Sequence, residues 1–436
     1  MNAAIRSIGT VLVLTAAASV SPAADNKPEA KAGLPQPAPD GTPIAAVDAF
    51  PPAGSAHAAG GELTMVDHVN RMAILRPDRT DAQNKYHQDL PYHVGLLPYA
   101  ELFFHGGRAN LADIPLGTHL FGWFHLGPRG WFQVRLASTD YEATVKNEPN
   151  ERSPESPYCQ VLRLEDDFTA DARRNRVWQI ISVDSESRKL TARPATATPG
   201  EELLTPAHEA TGAFQSAPLL EGEQTFDFDA ATRVWRANGF ADLADLAPGQ
   251  RVLLNRTWAT LYGPGRLTDI WVDVESRRLA LTQQTRRFEE HERRRGVPAT
   301  IERIEYEEDA AGVVTAICYA AISHSARVAL KADTSGTVAV AEPSLRTYDQ
   351  GNDAKAVRFR NVEILRTPPP GSSGLRVRFH IWELLEGIRP GRTVRLWPSG
   401  WSRPTLPREE RLHQFDLRPP LIDEDGSQRT TAPFSR

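Results

Sequence analysis

A chain of 436 residues with 50 lysines and arginines against 55 aspartates and glutamates carries a formal net charge of −5, which excludes a basic nucleic-acid-binding protein. Two cysteines exclude a disulfide-stapled scaffold, and 34 prolines with 30 glycines interrupt the chain too often for long helices, so many short strands are expected. At about 100 to 200 residues per domain, the length leaves room for two to four domains.

Residues 1–23 read as a signal peptide: Arg6 supplies the positive charge, Ile8 to Val20 the short apolar run, and Ser21-Pro22-Ala23 the small-x-small cleavage pattern. The run is shorter than the roughly 20 apolar residues of a transmembrane helix. Cleavage near Ala23 or Ala24 is expected to release a periplasmic or secreted chain without a membrane span, and no cysteine near that site offers a lipid anchor. Residues 24–60, with tracts such as Pro35-Gln36-Pro37-Ala38-Pro39, read as a flexible leader, because so little apolar surface cannot offset the entropy of ordering. Residues 402–436 read as a polar tail on the same ground.

Between these ends two signals recur. The first is an apolar residue, an aspartate, three variable residues and an arginine: Val66-Asp67 with Arg71, Val183-Asp184 with Arg188, Phe228-Asp229 with Arg233, and Val272-Asp273 with Arg277. Flanking alternation of apolar residues makes each copy read as a strand, a tight turn begun by the aspartate and a returning strand, with the arginine crossing back toward the carboxylate. The second is a leucine-bearing segment closed by a glycine turn and a new strand: Leu111 to Gly117 before His119, Leu243 to Gly249 before Arg251, and Leu384 to Gly391 before Val394. Two of the three copies place proline before the glycine, the pair that a type II turn favours. Three copies argue for three related modules. The expected architecture is mainly β: small barrels of the OB-like or SH3-like kind over 61–140, 175–282 and 298–401, with a linker over 141–174 and a short linking helix over 283–297. That helix is marked by Glu289 and Glu290 early, Arg293 to Arg295 late and Gly296 as its stop. Its arginine run reads as a solvated last turn, with an anion site as the alternative.

The stretch from Thr225-Phe226-Asp227-Phe228 to Asp245-Leu246-Ala247-Pro248-Gly249-Gln250-Arg251-Val252 resembles tandem exported bacterial β-barrel domains of unknown function. The stretch from Asp89-Leu90-Pro91 through His105-Gly106 to Asp113-Ile114-Pro115-Leu116-Gly117-Thr118-His119 is similar to uncharacterised exported proteins of environmental bacteria. This resemblance implies an architecture and transfers no catalytic residue.

No nucleophile elbow, zinc-protease helix, phosphate loop or dinucleotide fingerprint occurs in the sequence, so no catalytic residue is assigned and the expectation is a protein that is not an enzyme. The acidic run Glu165-Asp166-Asp167 reads as a solvated loop. Cys159 and Cys318 lie far apart, and Cys318, inside the apolar run Ala316 to Ala321, is expected as a buried free thiol, with one bridge as the alternative.

Three functional readings remain. A structural or partner-binding component of the cell envelope asks for no special residues and ranks first. A polysaccharide-binding module would use Trp382, Trp397 and Trp401 beside Arg376, Arg378, Arg392 and Arg395, whereas tryptophan in alternating strands is more commonly core. A transition-metal site for Zn²⁺ or Cu²⁺ would use His87, His93 and His105, drawn from the histidine-rich first 125 residues. His119 and His125, on one face of a strand over Thr118 to Leu126, would stand about 20 Å apart and could not share an ion.

Overall fold

In a computed structural model of the chain, the described residues are 56–67, 71–78, 92–126, 158–204, 219–259, 263–307, 310–318, 324–341, 355–365, 375–390 and 392–403. They are mainly β, with 52% strand against 17% helix, as the density of proline and glycine implied. His87, residues 24–55 of the expected leader and residues 404–436 of the expected tail lie outside the described residues, whereas residues 57–60, read as the end of the leader, begin the first strand, where they pair with residues 121–124.

The first sheet is built from β1 (His57–Asp67), β2 (Met72–Pro77), β3 (Tyr92–Phe104), β4 (Gly107–Arg108), β5 (His119–Leu126) and β6 (Tyr158–Asp166). Its order is β2-β1-β5-β6-β3-β4, and a further pairing of β2 with β3 joins five strands into a ring. Within it β3 and β6 run parallel, and the remaining pairs are antiparallel. The stretch read as linker 141–174 therefore supplies β6, a central strand of this ring, and after it α1 (Asp167–Arg173).

The second sheet contains β7 (Arg176–Asp184), β8 (Lys189–Thr196), β9 (Gln224–Asp227), β10 (Arg233–Arg236), β11 (Gly239–Ala241), β12 (Arg251–Arg256) and β13 (Leu267–Trp271). Its order is β11-β10-β13-β12-β7-β8-β9, and a parallel bridge from Asp227 to Arg266 ties β9 to the approach of β13. A helix, α2 (Val274–Arg295), then leads to β14 (Val297–Glu307), β15 (Ala310–Cys318), α3 (His324–Ala329), β16 (Gly336–Val340), β17 (Ala356–Leu365), β18 (Leu375–Ile381) and β19 (Thr393–Pro398). These six strands form a closed antiparallel barrel in the order β14-β15-β18-β17-β16-β19. Each sheet wraps its own apolar core, around Leu63, Val94 and Leu120 in the first, Ile180, Phe226 and Ile270 in the second, and Val314, Phe359 and Phe379 in the third. Burying each such side chain stabilises by about 1.5–3 kcal/mol.

One backbone device occurs three times. The opening strands β1, β7 and β14 are each bulged just after Leu63, Ile180 and Ile301. The amides of these three residues donate to the carbonyls of Thr118, Gln250 and Arg392, at 2.9, 2.8 and 2.9 Å. Those carbonyls belong to the last residues of the three glycine turns, whose amides reach back to Pro115, Ala247 and Arg389. Gly117 and Gly249 supply the left-handed backbone the turn needs, with φ of 89° and 86°. Ahead of the first two turns, Asp113 and Asp245 accept hydrogen bonds from the amides of Asn110 (2.8 Å) and Asp242 (3.3 Å), closing a single turn of 3₁₀ helix.

The aspartate-arginine signal divides. Its first two copies are the β1–β2 and β7–β8 hairpin turns, with Arg71 and Arg188 in left-handed backbone at φ of 57° and 54°. Asp184 is occupied by the amides of Glu186 and Ser187 rather than by Arg188. The third copy joins β9 to β10, which are not neighbours; there Asp229 pairs with Arg266, and Arg233 with Asp269. The fourth is not a turn between strands: Asp273 caps α2 by accepting from the amide of Ser276 at 2.7 Å, so the helix begins nine residues before the expected 283. An aspartate that accepts amides two or three residues on can start either element. The early half of α2 carries no apolar periodicity in the sequence because its buried stripe, Ser276, Arg277, Ala280, Gln284, Phe288 and Glu292, is mostly polar. Gly296, at φ 77°, ends it as expected.

The glycine turn makes a direct test. A Cβ at Gly249 would meet nothing within 4 Å, so Gly249→Ala costs only the left-handed backbone, about 1–2 kcal/mol in urea unfolding. Gly239→Ala, in equally open space but without a positive φ, leaves the midpoint within experimental error or raises it. Equal effects of the two substitutions would contradict the turn assignment.

Candidate functional site

The residues with the richest chemistry converge where the first sheet passes into the second. Strand β6 is apolar on both faces: Val161 and Leu164 enter the first core, while Leu162 packs outside it with Phe121, Trp123 and Ala170. Being covered on both sides, the strand carries the acidic run that follows it out of solvent. Glu165 and Asp166 are fully buried, and every residue from Asp167 to Ala172 is buried in α1. The run Glu165-Asp166-Asp167 is therefore not a solvated loop. Asp166 caps α1 by accepting from the amide and the hydroxyl of Thr169, and it also accepts from the Asn255 amide nitrogen (2.9 Å) and from the backbone of His105 (3.1 Å).

Asp167 joins a group of four charges. His119 on β5 places Nδ1 2.9 Å from Oδ1 of Asp167 and Nε2 2.9 Å from Oδ2 of Asp78, which follows β2. Arg256, the last residue of β12, donates Nε to the same Asp167 oxygen at 3.1 Å, its amide to the other oxygen at 3.2 Å, and Nη1 to the Pro264 carbonyl at 2.7 Å. Its Nη2 lies 3.0 Å from His119 Nε2. The imidazolium, with a proton on each nitrogen, is the form of His119 that donates to both carboxylates, and in that form the Arg256 Nη2 faces Nε2 as a second donor and not as its hydrogen-bond partner. Two carboxylates and two cations then sum to zero charge. His119 and Arg256 are enclosed, and Asp78 keeps 22% of its side chain exposed. Neighbouring contacts sew the same seam: Trp258 Nε1 donates to the Pro77 carbonyl at 2.8 Å, the Ala259 amide to Asp78 at 3.1 Å, and Arg76 lies over the Trp258 ring.

The titration directions follow from this geometry. Burial is the largest influence on His119 and on its own would lower the pKa; Arg256 acts in the same sense, yet Asp167 and Asp78 together raise it above 6.5. Burial likewise pushes Asp167 and Asp78 upward, and the facing cations outweigh it and hold both below the ordinary aspartate value. Asp166 has hydrogen-bond donors but no cation, and burial pushes it up to about 6. Asp171 is also raised to about 6 by burial, against the pull of Arg176 at 3.1 Å and the Trp178 indole at 2.7 Å.

His105 is the opposite case. It sits in the β3–β4 turn at φ 49°, stacked on Phe104 at 3.7 Å with its edge toward Trp271 at 4.8 Å, and its Nε2 is buried without a hydrogen-bond partner. Burial lowers its pKa to about 3. Of the three histidines considered for a metal, His93 pairs with Tyr158 near the start of β3, and Phe103 pairs with Glu165 near its end. Seven residues of β6 separate those partners, about 23 Å at 3.3 Å each, so His93 and His105 are not brought together. Among the described residues no group of three or more His, Cys, Asp or Glu side chains is placed to hold a metal ion.

The tryptophan-arginine set divides by role. Trp397 is buried and donates its indole N–H to the Arg294 carbonyl, and Trp401 packs against the third core. Arg376 pairs with Glu302, Arg378 with Glu305, and Arg395 donates to the Gly296 carbonyl. Arg392 is exposed beside the third turn. Trp382 stays 42% exposed. Cys159 and Cys318 belong to β6 and β15, in different sheets.

No family model matches the sequence, and no curated protein and no solved structure matches it.

The two histidines should report opposite behaviour. In long-range ¹H–¹⁵N spectra His119 is expected to titrate with a midpoint above 6.5, while His105 stays neutral throughout pH 4 to 8. The stability consequences have opposite signs. His119, with a raised folded pKa, contributes stability that is complete below 6.5 and is lost as pH rises through the raised value. His105 is neutral in the fold and protonated in the unfolded chain below 6.5, so its effect on stability worsens as pH falls. His105→Phe should therefore gain relative to wild type by about 1.4 kcal/mol per pH unit below 6.5 in urea melts. A pH-independent difference would contradict the buried neutral ring.

Proposed function

We propose that the chain is an exported, non-catalytic binding or structural protein of the cell envelope, built of tandem small barrels. An OB-like reading of the first two is supported by their strand orders: with the five strands β1, β2, β3, β5 and β6 of the first, and β7, β8, β9, β12 and β13 of the second (β10 and β11 lying outside the ring), both run 1-2-3-5-4 and return to 1, the third and fifth strands being parallel along a ladder in the first and joined by the single Asp227–Arg266 bridge in the second. The third barrel has a different order and contributes the closed antiparallel member of the series.

The observation that carries the structural part is the neutral four-charge cluster. His119, Asp167 and Arg256 are the kinds of groups that catalysis uses, and here they are enclosed and committed to one another across the seam between the first two rings. Such a seam suits a rigid rod or platform whose modules hold a set spacing. The export part is supported by Arg6, the Ile8 to Val20 run and Ser21-Pro22-Ala23.

Two measurements test the reading. N-terminal sequencing of the native protein from fractionated cells should find a start near Ala24 or Asp25 in the envelope or extracellular fraction; an intact Met1 in the cytosolic fraction overturns export. Arg256→Met, which keeps the bulk but removes one of the two cations facing the buried Asp167, should cost about 3–5 kcal/mol in urea unfolding. A loss below about 1 kcal/mol, typical of an exposed pair, would remove the seam from the account.

A further inference from the structure

The outer face of the third barrel bears a column of basic residues whose charges are treated unequally. On β18, Arg376 and Arg378 face acids of β14 and are neutralised by Glu302 and Glu305. On β17, Arg358 and Arg360 point to the same side, are both exposed, and have no ion-pair partner among the described residues. The β17–β18 register runs through Arg360 to His380 and ends at Phe359 to Ile381, and Trp382 follows directly after that last pair. The Arg360 guanidinium lies 3.9 Å from the centre of the Trp382 ring. Trp382 nevertheless keeps 42% of its surface in solvent, although a large apolar body of this kind gains most from burial.

We propose that Trp382, Arg358 and Arg360 form a binding site for an acidic polysaccharide. One face of the indole is covered by Arg360, which holds the ring upright; the solvent-facing side stacks on a sugar ring, and the two guanidinium groups donate forked hydrogen bonds to the carboxylates of that ring and its neighbour. Two uncompensated arginines on one strand face select an anionic polymer over a neutral one by charge complementarity. The site gives the binding half of the proposed function a ligand class and rests on that half alone. The seam between the first two rings, tested by Arg256→Met, can fail without touching it.

Polygalacturonate and neutral dextran serve as probes in titration calorimetry on the full mature chain. The wild type should bind polygalacturonate, more weakly as salt rises, and not bind dextran. Trp382→Ala and the double change Arg358→Gln with Arg360→Gln should each weaken binding by about tenfold or more. All three positions are exposed, and circular dichroism should show that the fold is kept. Arg293→Gln with Arg294→Gln removes the same charge from the exposed end of α2 and should leave affinity within about twofold of wild type. Wild-type strength in Trp382→Ala, an equal loss in the α2 variant, or absence of binding by the wild type each overturns the proposal.

Discussion

Everything about the first two sheets depends on one electrostatic constraint: two carboxylates and two cations removed from water together must sum to zero and satisfy one another's donors. Removing a single charge of this kind from water is prohibitive in isolation, and its cost falls only when partners are already in place. Asp167 is the common member, receiving His119 from one sheet and Arg256 from the other on the same oxygen. Its position follows from α1, and α1 is held by Asp166, whose four donors come from its own first turn, from Asn255 and from the His105 backbone. Asn255 also accepts the amide of Phe168 at 2.8 Å, so the start of the helix is bound to β12 twice. The seam is thus a set of mutually dependent bonds rather than a linker between two independent domains.

The other end of the assembly is joined by different means. Helix α2 crosses from the second sheet to the third barrel and touches the first on its way, with the Gln284 side chain donating to the Arg108 carbonyl at 2.9 Å and to Asp113 at 3.3 Å. At its C-terminus Gly296 lies under the Trp397 ring, so closely that a Cβ there would meet the indole at 2.8 Å. A hydrogen-bonded polar stripe and an aromatic cap do for this helix what ion pairing does for α1. The exposed charges of its other face are free to remain in water, as Arg286 and Glu290 do in an i,i+4 pair.

What could be read from the sequence was whatever the backbone decides locally. The glycine turns were legible because a positive φ and an amide three residues away belong to one short segment, and the three copies lead into β5, β12 and β19 as expected. Two hairpins were legible for the same reason. The strand around His119 was legible too, and His119 shares with Phe121 and Trp123 the outer face that meets α1. The seam itself was not legible, since its four charges come from positions 78, 119, 167 and 256, and the local hydrophilicity of Glu165-Asp166-Asp167 carries no sign that β6 is covered on both faces. The only local hint was Asp166 with Thr169 three residues on, the spacing of a helix cap. For tryptophan, the alternation argument was sound for Trp397 and silent about Trp382, which stands just past the end of β18.

The central claim is that the first two rings open as one unit because α1 holds them. Native-state hydrogen exchange at low urea measures it most directly, using the amides of Leu120 and Phe121 in β5 and of Leu253 and Leu254 in β12 as reporters on either side of the seam. The account predicts that both groups exchange with the same opening free energy and the same urea dependence in the wild type. Two distinct opening energies with separate urea slopes, one for each ring, would contradict it.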